Sequence, residues 1–125
     1  MRVFKDIKYG EIEQQRLDLY IPDSENFTAF VFFHGGGLES GDKSEIEIAV
    51  PYLVDRNIAV VSANYRLYPD AKYPEFICDA ADAVAWTMEN IREYGKCDKF
   101  VVAGSSAGAY LSMMLCFDRR YLSAH

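Results

Sequence analysis

The chain has 125 residues, half of them hydrophobic and 14% aromatic, with a formal net charge of −6. That length can hold one sizeable core, and the composition excludes a disordered chain. The acidic balance excludes nucleic acid and anionic membrane surfaces as partners.

In chain order, Val3 to Lys8 and Arg16 to Ile21 read as strands, with a turn at Tyr9-Gly10-Glu11 making an antiparallel pair. Leu17, Leu19 and Ile21 alternate with Asp18 and Tyr20, the pattern of a half-buried strand. Pro22-Asp23-Ser24 breaks the chain. Phe30-Val31-Phe32-Phe33 is apolar at every position, as a strand covered on both faces should be. Ile58-Ala59-Val60-Val61 and Phe100-Val101-Val102-Ala103 share that character. Helical stretches separate the three runs, which predicts a parallel sheet with βαβ crossovers.

The first crossover helix is expected from Ser44, as its cap, to Asp55, broken or kinked at Pro51. In the second, Ile77, Ala80, Ala81, Val84, Met88 and Ile91 keep the spacing of one helical face. Pro74 stands before it and Gly95 marks its end. The third runs from Ser106 to Phe117. Residues 118–125 carry no strong pattern.

Met1 to Asp6 lacks the apolar stretch of a secretion signal, and no window approaches the roughly 18 apolar residues of a membrane span. A cytoplasmic protein is the expectation. Cys78, Cys97 and Cys116 are odd in number and widely spaced, so they read as reduced, mostly buried thiols. Asp79 and Asp82 lie three apart on one helix face and read as solvated or capping groups. Tyr65, Tyr68 and Tyr73 read as packing residues. No metal or cofactor is called for.

The chemistry centres on Gly104-Ser105-Ser106-Ala107-Gly108, a G-x-S-x-G segment between an apolar strand and a helix. In that context the motif marks a nucleophilic serine, because flanking glycines allow the sharp turn that exposes the hydroxyl. His34-Gly35-Gly36-Gly37 ends another apolar run. An alcohol needs a base to take its proton, and the carbonyl it attacks needs donors for the oxyanion that forms. Ser106 supplies the hydroxyl. The donors are expected from the backbone N–H groups of Gly36, Gly37 and Ala107. The chain has only two histidines. His34 reads as an anchor of the glycine loop. His125 could reach back to Ser106 on chain length alone, but it reads as a free terminal residue.

His34 to Gly37, Asn64-Tyr65-Arg66-Leu67-Tyr68-Pro69-Asp70 with Tyr73-Pro74, and Gly104 to Gly108 resemble, in order and spacing, the α/β-hydrolase fold. More narrowly they are similar to the hormone-sensitive-lipase-like esterases and lipases and their sugar-ester and formamidase relatives. The resemblance implies a three-layer α/β sandwich. Its sheet would be mostly parallel, with an antiparallel N-terminal strand pair, and cut off after the nucleophile helix. Residues 1–125 would then be the N-terminal part of one hydrolase domain. The resemblance also implies hydrolysis of small acyl esters through an acyl-enzyme on Ser106, with Tyr65 and Arg66 structural. Ser105, Ala109 and Leu38 depart from the lipase-like pattern.

Family members take the triad acid and histidine from later strands, so the 125 residues alone are expected to be inactive or feeble. The family's sheet order would leave the Phe100–Ala103 strand at an open edge, which invites self-association. Two alternatives stand beside the esterase: an amide, formamide or peptide hydrolase of the same fold, and a non-catalytic hydrolase-like module.

Overall fold

A computed structural model describes residues 1–125. Five strands form one sheet: β1 (Arg2–Lys8), β2 (Arg16–Ile21), β3 (Asn26–Phe33), β4 (Ile58–Ala63) and β5 (Lys96–Gly104), in the spatial order β1-β2-β4-β3-β5. β2 runs antiparallel to β1 and β4, while β3, β4 and β5 are mutually parallel. The β1–β2 connection spans residues 9–15 and closes through Tyr9 N–H to the Gln15 carbonyl, longer than a tight turn. The sheet is thus mostly parallel, with the antiparallel N-terminal pair that the resemblance implies.

Strand alternation divides the core between two layers. Leu17, Leu19, Ala29, Val31, Phe33, Ala59 and Val61 pack in the main cluster with residues of α2 (Glu75–Asn90) and α3 (Ala107–Phe117). Tyr20 and Val60, on the other face, pack against Val50, Leu53 and Val54 of α1 (Val50–Val54). Burying such a side chain contributes about 1.5–3 kcal/mol each. Because β2 is covered on both faces, Asp18 is buried along with its apolar neighbours, contrary to the half-exposed expectation. Its carboxylate is compensated by Lys5 at 3.4 Å, Lys43 at 3.3 Å and the Asp6 N–H at 2.8 Å.

The first crossover is two short pieces, as Pro51 predicts: a 3₁₀ segment, Lys43–Ala49, then α1 with proline in its first turn. Its cap is Asp42, not Ser44; the Asp42 side chain accepts the Ser44 N–H. In α2 the apolar stripe is buried as expected except at Met88, which is exposed. Thr87 takes the buried place instead, its hydroxyl bonded to the Ala83 carbonyl at 2.9 Å.

The apolar Phe100–Ala103 run of β5 lies at the sheet edge, as the family's sheet order implies, and it is not covered on both faces: Val101 is 43% exposed. Tyr110, Met113 and Phe117 of α3 are also exposed. Cys97 is buried, but Cys78 and Cys116 are exposed, which corrects the expectation of mostly buried thiols. Both exposed thiols sit on outward faces of helices. Residues Arg119–Leu122 form a further helical turn, α4. His125 is not free: its Nε2 lies 2.9 Å from Asp82 Oδ1 in the middle of α2. No helix is long and apolar enough to cross a membrane.

Candidate active site

The sequence around residue 106 folds as a sharp strand-to-helix turn. β5 ends at Gly104 and α3 begins at Ala107. Ser106 sits between them at φ 52°, ψ −110°, outside the regions that L residues normally occupy. A non-glycine residue held there is strained, and such strain persists only where the surroundings enforce it. They do. Ser105 N–H donates to the Phe33 carbonyl at 3.1 Å, and Gly108 N–H donates to the Ser105 carbonyl at 2.9 Å. A Cβ on Gly104 would overlap the Gly108 carbonyl, and one on Gly108 would overlap the Phe33 carbonyl. Both glycines are therefore needed for the turn to sit against β3. Ser106 itself is exposed, at the positive end of α3.

The glycine run emerges from the end of β3 beside this turn. A Cβ on Gly35 would stand 2.9 Å from the Ser105 carbonyl oxygen and 3.4 Å from Ser106 Cβ. The loop thus touches the elbow at Gly35. Gly36 and Gly37 have φ of 124° and 67° and are exposed. Neither Gly36 nor Gly37 donates its N–H to an acceptor within the protein. The Gly36 carbonyl is engaged, accepting Glu39 N–H at 3.2 Å and Ser40 N–H at 3.1 Å. A trans peptide points its N–H opposite its carbonyl, so the Gly37 N–H faces away from the Ser40 turn. The Ala107 N–H belongs to the first turn of α3, where the amides lack intrahelical partners.

His34 is 1% exposed, and its Nδ1 lies 2.7 Å from the Gly35 carbonyl oxygen. Only a ring carrying hydrogen on Nδ1 can donate to that carbonyl. The ring stacks on Tyr65 at 4.5 Å between centroids, and the Tyr65 hydroxyl donates to the His34 carbonyl at 2.7 Å. Burial, with Glu45 nearby, pushes the Tyr65 phenol up to about 12, so it stays protonated as a donor. Neither histidine is placed to take the Ser106 proton: His34 is bonded to its own loop and His125 to Asp82.

The Asn64–Asp70 loop braces the glycine run from the side. Tyr68 N–H donates to the Leu38 carbonyl at 2.7 Å, and Asn64 Oδ1 accepts Lys43 N–H at 2.8 Å. Asp79, read from the sequence as solvated or capping, is fully buried. It accepts from Arg66 Nε and Nη2, both at 2.9 Å, from Arg66 N–H at 2.9 Å and from Gln15 Nε2 at 2.8 Å. This cluster fastens the loop to α2. The clue was present in the sequence: Asp79 falls inside the apolar stripe, three after Phe76 and one before Ala80, so α2 carries it inward. Nothing in the sequence pointed to the Tyr65–His34 bond.

The chain is similar to a known family model and to known esterases. The BD-FAE family model matches residues 17–122. A probable isoprenylcysteine alpha-carbonyl methylesterase of Arabidopsis thaliana is 31% identical over 94% of the chain and 29% of its own length. Kynurenine formamidase of Danio rerio is 29% identical over 88% of the chain and 37% of its own length. Esterase B of Lactobacillus rhamnosis, solved in a form inhibited by a tributyrin phosphonate, superposes with a TM-score of 0.80 at 27% identity. That match covers 88% of the chain and 38% of the esterase. The chain thus spans about a third of the length of these curated relatives.

Proposed function

The chain belongs to the BD-FAE family of α/β-hydrolase esterases, and from that premise we propose that Ser106 is the nucleophile of a serine carboxyl-ester hydrolase acting on small acyl esters. One observation carries the reading: an exposed serine at φ 52°, on the N-terminus of a helix, with a glycine loop against it. Ser106 Oγ attacks the acyl carbon, the ester alkoxide leaves, and an acyl-enzyme remains for water to hydrolyse. The tetrahedral oxyanion is received by the N–H groups of Gly36, Gly37 and Ala107. Each donor of this kind contributes about 3–4 kcal/mol to the transition state. A base must take the Ser106 proton, and neither histidine of these 125 residues does so. Alone, the chain therefore turns over esters feebly at best. The oxyanion donors and the elbow still favour reaction at Ser106.

The formamidase relative supports a second reading, in which the same nucleophile cleaves a formamide. Side-by-side turnover of p-nitrophenyl butyrate and an aryl formamide separates the two. A non-catalytic module is the third reading, and it is contradicted by any Ser106-dependent turnover. Loss of p-nitrophenyl butyrate hydrolysis in Ser106→Ala supports the nucleophile assignment, and unchanged hydrolysis overturns it.

The edge position of β5, with the apolar Val101 exposed on it, supports pairing with a second copy of the chain.

A further inference from the structure

We infer that Tyr65 is a positioning residue for the oxyanion site, holding His34 by its backbone carbonyl and its ring and so aiming the N–H of Gly36. The inference rests on the serine-hydrolase reading for its purpose, but its geometry stands by itself. The peptide joining Gly35 to Gly36 is planar, so its carbonyl and its N–H point in opposite directions. Whatever grips the Gly35 carbonyl therefore sets the direction of the Gly36 N–H. The His34 ring grips it, at 2.7 Å from Nδ1.

A glycine run has no side chains to hold its own conformation, and its backbone is the most mobile of any. The grip must come from elsewhere. The ring of Tyr65 lies against the imidazole at 4.5 Å with 13° between planes, and Phe33 meets Tyr65 edge-on at 6.4 Å. Gly41 closes the other side: a Cβ there would stand 2.5 Å from His34 Nδ1. The imidazole is thus walled in. The Tyr65 hydroxyl meanwhile bonds the His34 carbonyl at 2.7 Å, and Glu45 Oε1 accepts the Gly35 N–H on the opposite side of that peptide at 3.3 Å. Two successive peptide planes are fixed, and the first amide left without an acceptor is that of Gly36.

Thr87 provides an internal control. Its hydroxyl also donates to a backbone carbonyl, that of Ala83 at 2.9 Å, and is also buried, but it sits on α2 beyond the Asp79 clamp and bonds to neither motif. A purely structural hydroxyl at either position would have the same consequences.

The test compares Tyr65→Phe with Thr87→Val in the isotopically labelled chain, following the Gly36 amide by NMR and the rate of Ser106 phosphonylation by a fluorophosphonate. Tyr65→Phe keeps the stacked ring and loses only the hydroxyl. It should shift and broaden the Gly36 amide and slow phosphonylation roughly fivefold, the loss expected for one neutral hydrogen bond. Thr87→Val should leave both unchanged. An unaltered Gly36 amide in Tyr65→Phe, or an equal effect from Thr87→Val, overturns the inference. Should Tyr65→Phe not fold, His34→Asn and His34→Phe replace it. Asparagine keeps a donor near the Nδ1 position and should preserve the Gly36 signal, phenylalanine should lose it, and equal behaviour of the two overturns the inference. If the wild-type chain takes no phosphonate at all, the hydrolase reading fails, and the Gly36 amide still decides the positioning role.

Discussion

The Cα of Gly108 lies so close to the end of β3 that a single added carbon would overlap the carbonyl oxygen of Phe33. This contact seats the start of α3 on the strand that launches the glycine loop. The motif's second glycine is thereby tied to the first residues of the other motif. Gly108→Ala must push α3 off β3. We expect a loss of about 3 kcal/mol, the upper part of the range for overpacking, in urea unfolding. Labelling of Ser106 should be lost as well.

Asp79 gives a second prediction. It is the only acceptor for the Arg66 Nε and backbone N–H, and it lies fully inside the fold. Asp79→Ala leaves the guanidinium, itself only 20% exposed, without its buried partner. Breaking a buried pair from one side costs about 3–5 kcal/mol. Urea unfolding should show that loss, whereas Asp23→Ala, whose partner is the exposed N-terminus, should fall within about 0.5 kcal/mol of the wild type.

Acid should weaken the fold through Asp42. Burial opposes ionisation there, but the Ser44 N–H and Asn64 outweigh it and hold the carboxyl below its ordinary 3.8. The folded pKa is lowered, so this contribution is present above pH 3.8 and is lost as pH falls through the folded value. Asp6 and Glu47 are lowered too, by Lys43 and Lys5. Melting temperature should therefore drop below about pH 4. Asp42→Asn, which keeps a competent cap, should flatten part of that drop.

The legibility of the sequence followed what each signal reports. Alternating and continuous apolar runs placed all five strands, because side-chain periodicity is a direct imprint of burial. Pro51 announced the broken first crossover. Signals that depend on a neighbour in space were harder to read. Asp18 looked outward by alternation, yet Lys5 and Lys43 from other elements reach over it. Cys78 and Cys116 are apolar enough to be buried, but their helix faces point to solvent. The elbow and the glycine loop were named from their motifs, and the backbone geometry there comes from glycines that the motifs specify. The brace behind the loop was invisible, because Tyr65 and His34 are 31 residues apart and no periodicity links them.

The edge of β5 yields an oligomerisation prediction. Sedimentation velocity should show a dimer growing with concentration, and Val101→Lys, which places a charge on the exposed side of that strand, should restore the monomer. A wild-type chain that remains monomeric at high concentration contradicts self-pairing.

Mass spectrometry of the chain after exposure to a fluorophosphonate tests the nucleophile most directly. The account predicts an adduct on the peptide carrying Ser106, retained in Ser105→Ala and abolished in Ser106→Ala. No adduct on that peptide, or one that survives Ser106→Ala, contradicts it.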